Sequence, residues 1–300
     1  MKKIIIAGIL LLVLGLVVGV VSFSLMGFRF DGFKTVEYET KTTELRGDFR
    51  NIHIIGDTAH IAIYHPRYPT LDNTAKLESL ESENCRTVVS VEDGTLTIRM
   101  VDERKWYERM EISLKSPGLD LYLPEGDYGD LTIENSTGDI HISGGFRFDS
   151  IRVKCSTGDV TGEAWGESIR IETGTGDITL SQLTAGDISL KVSTGRTRLS
   201  QVRCTSLEST GSTGEITLEH TVAAGSITIR RSTGDVRFDG CDAPDIAVET
   251  DTGDVTGSLY RGKTFRVTTD TGRVEVPPDA PEGICVITTD TGDIRIGIEE

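Results

Sequence analysis

The chain has 300 residues, with 33 glycines, 6% aromatic residues and a formal net charge of -16. That charge disfavours nucleic acid and anionic lipid as ligands, because phosphate recognition needs clustered Lys and Arg. The glycine-rich, aromatic-poor mix suits a turn-rich all-β protein built from slim, repeated units more than one bulky core.

Met1-Lys2-Lys3 precedes an uncharged run from Ile4 to Phe28. Twenty apolar residues in a helix span about 30 Å, so residues 1–28 are expected to form one transmembrane signal-anchor. A cleaved signal peptide is the alternative. The stretch Val20-Val21-Ser22-Phe23-Ser24-Leu25-Met26 lacks a small-residue cleavage pattern, which favours the uncleaved anchor. Lys2 and Lys3 would keep the N-terminus in the cytoplasm and leave the bulk of the chain extracellular, at the cell membrane. Residues 29–35 read as a tether.

Residues 36–125 carry β-type runs: Ile52-His53-Ile54-Ile55, Ile61-Ala62-Ile63-Tyr64, Thr87 to Val91, Thr95 to Met100, Met110 to Leu114 and Leu119 to Leu123. Short length, β-branched content and period-two alternation predict strands. Asp93-Gly94 predicts a tight hairpin turn. The region is expected to be antiparallel and to cap the first rung of the C-terminal repeats, because a bare end would expose backbone donors and apolar side chains. Trp106, Tyr107 and Arg109 form an aromatic polar tip with the composition of a contact site; a ring folded back onto its own sheet is the blander reading. His53, His60 and His65 are close in sequence, but residues 60 and 65 face opposite sides of a strand, which speaks against a shared metal.

Residues 126–300 are a repeat. Thr-Gly recurs with its glycine at Gly138, Gly158, Gly176, Gly195, Gly214, Gly234, Gly253, Gly272 and Gly292. The period is about 19 residues, which marks one supersecondary unit stacked on itself. Seven residues before each glycine stand Leu131, Ile151, Ile169, Ile188, Leu207, Ile227, Ile246, Phe265 and Cys285; five before it the column runs from Ile133 to Ile287 with Ser209 as its polar exception. Two and four residues after it come the pairs that begin with Ile140 and Ile142. A spacing of two within each pair predicts strands with one buried face. The expected fold is therefore an all-β β-solenoid of about nine repeats, each a strand, a Thr-Gly turn, a strand and a connection. At ~4.8 Å per rung, nine rungs span roughly 40 Å. The rung with Ser209 and Gly211 is the weakest by this pattern. The connections align along one edge and are the expected place for function.

The residue after each glycine is Asp139, Asp159, Asp177, Arg196, Glu215, Asp235, Asp254, Arg273 and Asp293. Regular carboxylates invite a calcium reading. The two arginines and the absence of paired glycines favour turn chemistry, in which each Asp bonds nearby amides. No metal or cofactor is expected. An ordered Thr array that binds ice or flat polysaccharide is disfavoured because the threonines lie at the bend. A glycan-active enzyme would need convergent carboxylates, and no Ser-His-Asp, metal-His or phosphate-loop motif is present. Cys85, Cys155, Cys204, Cys241 and Cys285 are odd in number and contain no C-x-x-C, so neither a zinc site nor a full disulfide framework is indicated.

The string Leu119-Asp120-Leu121-Tyr122-Leu123-Pro124, the pairs Ile52-x-Ile54 and Ile61-x-Ile63, and the repeated Ser-Thr-Gly-Asp-Ile resemble the bacterial putative-adhesin domain of unknown function, of the LiaG-like kind. The resemblance covers residues 48 to 298. It implies a β-solenoid in the bacterial cell envelope and a link to envelope stress, and it brings no catalytic residues. The expected function is a non-catalytic, membrane-anchored binding protein, in adhesion or envelope sensing, whose partner is an envelope protein or a cell-wall glycan. The alternatives are a regulatory or structural subunit of a membrane complex and, less favoured, a glycan-active enzyme. The rung ending at Ile298-Glu299-Glu300 carries no cap, which predicts edge-to-edge homo-oligomers.

Overall fold

The computed structural model describes residues 14–18, 21, 38–65, 74–103 and 117–299. The chain divides into two units, one of Met1–Glu37 and Arg104–Leu114, the other of Tyr38–Glu103 and Lys115–Glu300. In the first unit, residues 14–18 and 21 are described, and they are helical and exposed. Among the described residues no helix is long and apolar enough to cross a membrane. Most of the anchor expected over 1–28, and the whole tether over 29–35, lie outside the described residues. So does the tip of Trp106, Tyr107 and Arg109.

The second unit is all β. Its first strands are β1 (Glu39–Glu44), β2 (Asn51–Ile55), β3 (His60–Tyr64), β4 (Lys76–Glu81), β5 (Cys85–Glu92), β6 (Thr95–Asp102) and β7 (Gly118–Tyr122). Long and short strands then alternate: β8 (Asp127–Thr137), β9 (Ile140–Ile142), β10 (Arg147–Thr157), β11 (Val160–Gly162), β12 (Trp165–Thr175), β13 (Ile178–Ser181), β14 (Ala185–Thr194) and β15 (Thr197–Ser200). They continue as β16 (Arg203–Thr213), β17 (Ile216–Glu219), β18 (Val222–Thr233), β19 (Val236–Cys241), β20 (Asp245–Thr252) and β21 (Val255–Leu259). The last are β22 (Thr264–Thr271), β23 (Val274–Glu275), β24 (Ile284–Thr291) and β25 (Ile294–Ile298).

Among the described residues the long strands stack into one sheet and the short strands into a second. From β8 on the neighbour pairs are parallel, with register shifts only at Cys204/Ser206 and Phe238/Cys241 among the described residues, so Ile151 lies over Leu131 and Ile169 over Ile151. The four apolar columns read from the sequence face one another between the sheets and are almost all buried. Burying each such Ile or Leu stabilises by ~1.5–3 kcal/mol before entropy is subtracted.

The N-terminal region corrects the antiparallel expectation. Strand β2 is parallel to both β8 and β6, and β3 is parallel to both β9 and β7. Ile52 and Ile54 lie over Leu131 and Ile133, while Ile61 and Ile63 lie over Ile140 and Ile142. The same columns thus run on through residues that have no Thr-Gly corner. Among the described strands antiparallel pairing is confined to β1 and β4 on one sheet and to β5 on the other. Asp93 and Gly94 form the β5–β6 turn with φ of 49° and 72°, as their dipeptide predicts.

The C-terminal order also departs from the sequence order. In the long-strand sheet the end reads β22, β24, β20, and in the short-strand sheet β23, β25, β21. The last rung in the chain is therefore inserted between the two before it, and β22–β23 forms the free end. A buried ion pair marks the crossover. Lys263, 1% exposed, donates to Asp242 Oδ1 at 2.6 Å and to the Glu282 carbonyl at 3.0 Å. These residues sit in the connections that lead into β20, β22 and β24. One ammonium group thus ties together the three connections whose order is exchanged.

Candidate functional site

Each rung turns twice. At the first corner the nine Thr-Gly glycines all have φ between +123° and +159°. A Cβ on Gly158 would collide with the Gly138 carbonyl oxygen, and one on Gly195 with that of Gly176. Glycine is needed there for its φ and for the close approach of successive rungs. The corner amides bond along the stack, as when Gly195 N–H donates to Thr213 O at 3.0 Å.

The acidic column is a ladder. Asp139 Oδ1 accepts from the Asp159 amide at 3.0 Å, Asp159 from Asp177 at 2.8 Å and Asp177 from Arg196 at 2.7 Å. It resumes as Asp235 to Asp254, Asp254 to Asp293 and Asp293 to Arg273. The carboxylates bond amides, as the turn reading holds, but the amide belongs to the next rung and not to the same turn. Arg196 also grips Asp177 Oδ2 through Nε at 3.0 Å and Nη2 at 2.8 Å. Burial raises the Asp177 carboxyl, but the Arg196 amide and guanidinium outweigh it and hold it below its ordinary range. One oxygen of each ladder carboxylate is therefore committed to the backbone. Among the described residues no three His, Cys, Asp or Glu side chains converge as a metal would require.

Three residues before the corner glycines runs a mostly polar column, broken by Cys155, Val192 and Gly211, that apolar periodicity does not reveal. Asn135 Nδ2 donates to Ala59 O and Gly138 O, and Thr289 Oγ1 to Gly253 O at 3.2 Å. At the weak rung this column holds Gly211 and then Arg231. The Arg231 guanidinium is buried and donates to Ser209 Oγ at 2.9 Å and Thr197 Oγ1 at 3.2 Å. Burial lowers its pKa to about 10. Ser209, the polar exception in its column, is thus one partner of that buried cation, and Thr197 in the preceding rung is another.

The second corner lies on the connecting edge. Gln182, Gln201 and His220 occupy equivalent places there, with φ of 52°, 55° and 48°. Left-handed backbone is uncommon for residues other than Gly, Asn, Asp and His, so Gln182 and Gln201 are the unusual pair, and such strain is a pointer to function. The next residues, Leu183, Val202 and Thr221, turn inward and are buried. Above them runs a groove of about 440 Å³ lined by Gln182, Thr184, Gln201, Arg203, His220 and Tyr260, with Leu183 and Val222 as its floor. Its walls offer two side-chain amides, an imidazole, a guanidinium and a phenol.

Gly240 explains how Tyr260 reaches this groove. It takes the next second-corner place, with φ 57° and no side chain. A Cβ there would lie 2.9 Å from His220 Nδ1, Tyr260 OH and Glu299 Oε1 alike. Through that gap Tyr260 OH and His220 Nδ1 share a hydrogen bond of 2.9 Å, with the two rings stacked at an interplanar angle of 11°. Burial first, then the Glu299 charge, pushes the Tyr260 phenol up, so it stays protonated at neutral pH. Ser258 Oγ donates to Glu299 Oε1 at 2.7 Å and accepts from the Gly240 amide at 3.0 Å. The serine therefore bonds a carboxylate and not the histidine.

The other histidines are dispersed. His53 lies 3.7 Å from Glu134, His60 is 3.5 Å from Asp139, and His65 stacks on Phe146 and donates to Gly144 O at 2.7 Å. All five cysteines are buried thiols. Burial raises Cys241 and Cys204 to about 11 and Cys285 to about 12. The connecting edge was the expected place for function, but Gln182, Gln201, His220 and Tyr260 were not singled out there. The column six residues after each Thr-Gly glycine held the signal, since Gln, Gln and His stand in it between Ala164 and Gly240.

A family model described as Toastrack DUF4097 matches residues 69–245. A crystal structure from Bacteroides fragilis, described as a putative adhesin, aligns at 16% identity over 87% of this chain and 97% of its own, with a TM-score of 0.49. One from Parabacteroides distasonis, also described as a putative adhesin, aligns at 12% identity over 86% and 97%, with a TM-score of 0.46. A third, described as a putative lipid binding protein from Parabacteroides distasonis, aligns at 16% identity over 75% and 98%, with a TM-score of 0.34. No curated protein matches the chain.

Proposed function

We propose that this chain, which belongs to the Toastrack DUF4097 family, is a non-catalytic binding scaffold of the cell envelope, acting in adhesion or envelope sensing. The second-corner groove is its ligand site and residues 1–28 are its membrane anchor. The carrying observation is the line of Gln182, Gln201 and His220 in left-handed backbone, closed at one end by Tyr260. Side-chain amides and a phenol bond hydroxyl groups in either direction, and the exposed tyrosine ring offers a flat face. With a net charge of -16 the chain repels polyanions. A neutral wall glycan fits these features best.

Full-length chain in detergent should sediment with insoluble wall glycan. Tyr260→Ala combined with Gln201→Ala should weaken that binding about tenfold or more. Unchanged binding by the variant, or none by the parent, would overturn the glycan reading. Deleting residues 1–28 should move the protein from the membrane to the soluble fraction, and retention at the membrane would refute the anchor.

A further inference from the structure

The two ends of the solenoid differ. At one end the outermost strands β1 and β5 are antiparallel to their neighbours. At the other the stack stops at the parallel rung β22–β23, whose Val274 is 44% exposed. The short edge is blunted, since β23 has two residues and Pro277-Pro278, which lack amide donors, come soon after it. The long edge, β22, is left as a template for another strand.

The backbone of β22 shows which groups are on offer. Thr264 N–H donates to Gly283 O, on the β24 side. Polar groups alternate sides along a strand, so those of Phe265, Val267 and Thr269 point outward. The Phe265 amide is already held by Asp279 at 2.9 Å. Val267 and Thr269 remain as the pairing positions. On the solvent face, Arg266, Thr268 and Asp270 are exposed, and among the described residues no ion pair engages Arg266 or Asp270.

We propose that β22 pairs antiparallel with β22 of a second copy, on a two-fold axis through Thr268. This register sets Val267 opposite Thr269 of the second copy, and the reverse, so the outward amides and carbonyls meet. It also sets Arg266 opposite Asp270 twice. Centring the axis on Val267 or Thr269 would instead pair those charges with threonine or glycine. The axis position is thus selected by charge complementarity within one strand. The even-numbered residues fall at non-hydrogen-bonded pairs, where cross-strand side chains are closest.

The test uses full-length chain in density-matched detergent, read by sedimentation equilibrium. Arg266→Asp would oppose Asp to Asp twice and should weaken dimerisation about tenfold. Arg266→Asp with Asp270→Arg restores both pairs and should restore the dimer. Thr268→Cys places two thiols beside the axis within disulfide reach and should give an oxidised dimer that reductant dissolves, whereas Arg266→Cys alone should not. A monomer at all concentrations overturns the proposal. So does a dimer indifferent to both charge changes, which is the behaviour of one held by the anchor alone.

Discussion

Gly253 N–H donates to Thr291 O at 2.9 Å, and Gly292 N–H in turn to Thr271 O at 2.9 Å. Gly253 and Thr291 are two repeats apart in sequence but touch in space, and the repeat between them is displaced to the end of the stack. The terminal rung is thereby clamped between two others. A rung paired on both sides frays less readily than one at an edge.

The crossover should depend on Lys263. Among the described residues, Lys263→Ala leaves Asp242, 8% exposed, with Arg261 at 3.4 Å as its one ion-pair partner. Removing one partner of a buried ion pair costs about 3 kcal/mol or more. Replacing both, as Lys263→Met with Asp242→Leu, should recover most of the loss. Urea unfolding followed by circular dichroism measures this. A double variant no more stable than Lys263→Ala would show that the ion pair does not carry the effect.

Corner glycines should tolerate nothing else. Gly195→Ala forces a Cβ into the Gly176 carbonyl at φ +147° and should destabilise by at least ~2 kcal/mol. Gly94→Ala, at φ +72° in the β5–β6 turn, meets nothing within 4 Å and should cost about 1 kcal/mol. Thermal melts of the two variants give the comparison. Equal losses would mean that φ alone, and not the contact between rungs, demands glycine in the corner.

The Asp177–Arg196 contact predicts an acid limb. The folded Asp177 carboxyl lies below its ordinary range, because the Arg196 amide and guanidinium outweigh burial. Its contribution is therefore present above the ordinary carboxylate value and is lost as pH falls through the lower folded value, below about pH 4. Asp177→Asn should be less stable than the parent at pH 7, and the gap should shrink as pH drops below about 4. A gap in melting temperature that stays constant from neutral pH down to about pH 2 would contradict the assignment.

The corners and columns were legible in the sequence because stacked rungs put like residues over like residues. Leu131, Ile151 and Ile169 recur at one offset because each lies on the last. The N-terminal rungs were harder to read. Ile52 and Leu96 fill the same column, but their corner lacks the Thr-Gly mark and β6 is separated from β7 by a long insertion. The groove was half legible. The second-corner Gln182 and Gln201 stand at a fixed offset from each Thr-Gly, whereas Tyr260 joins His220 across 40 residues through the gap left by Gly240.

By itself the sequence determined the solenoid, its glycine corners and the family, because a repeated local rule needs only local residues. It could not determine the order of the last rungs. Thr268-Thr269-Asp270-Thr271-Gly272 and Thr288-Thr289-Asp290-Thr291-Gly292 are the same pentapeptide, so each fits the other's place against Gly253. Only the tertiary structure decides between them, through Lys263, Asp242 and Glu282 in the connections. That decision leaves β22, and not β24, at the open end.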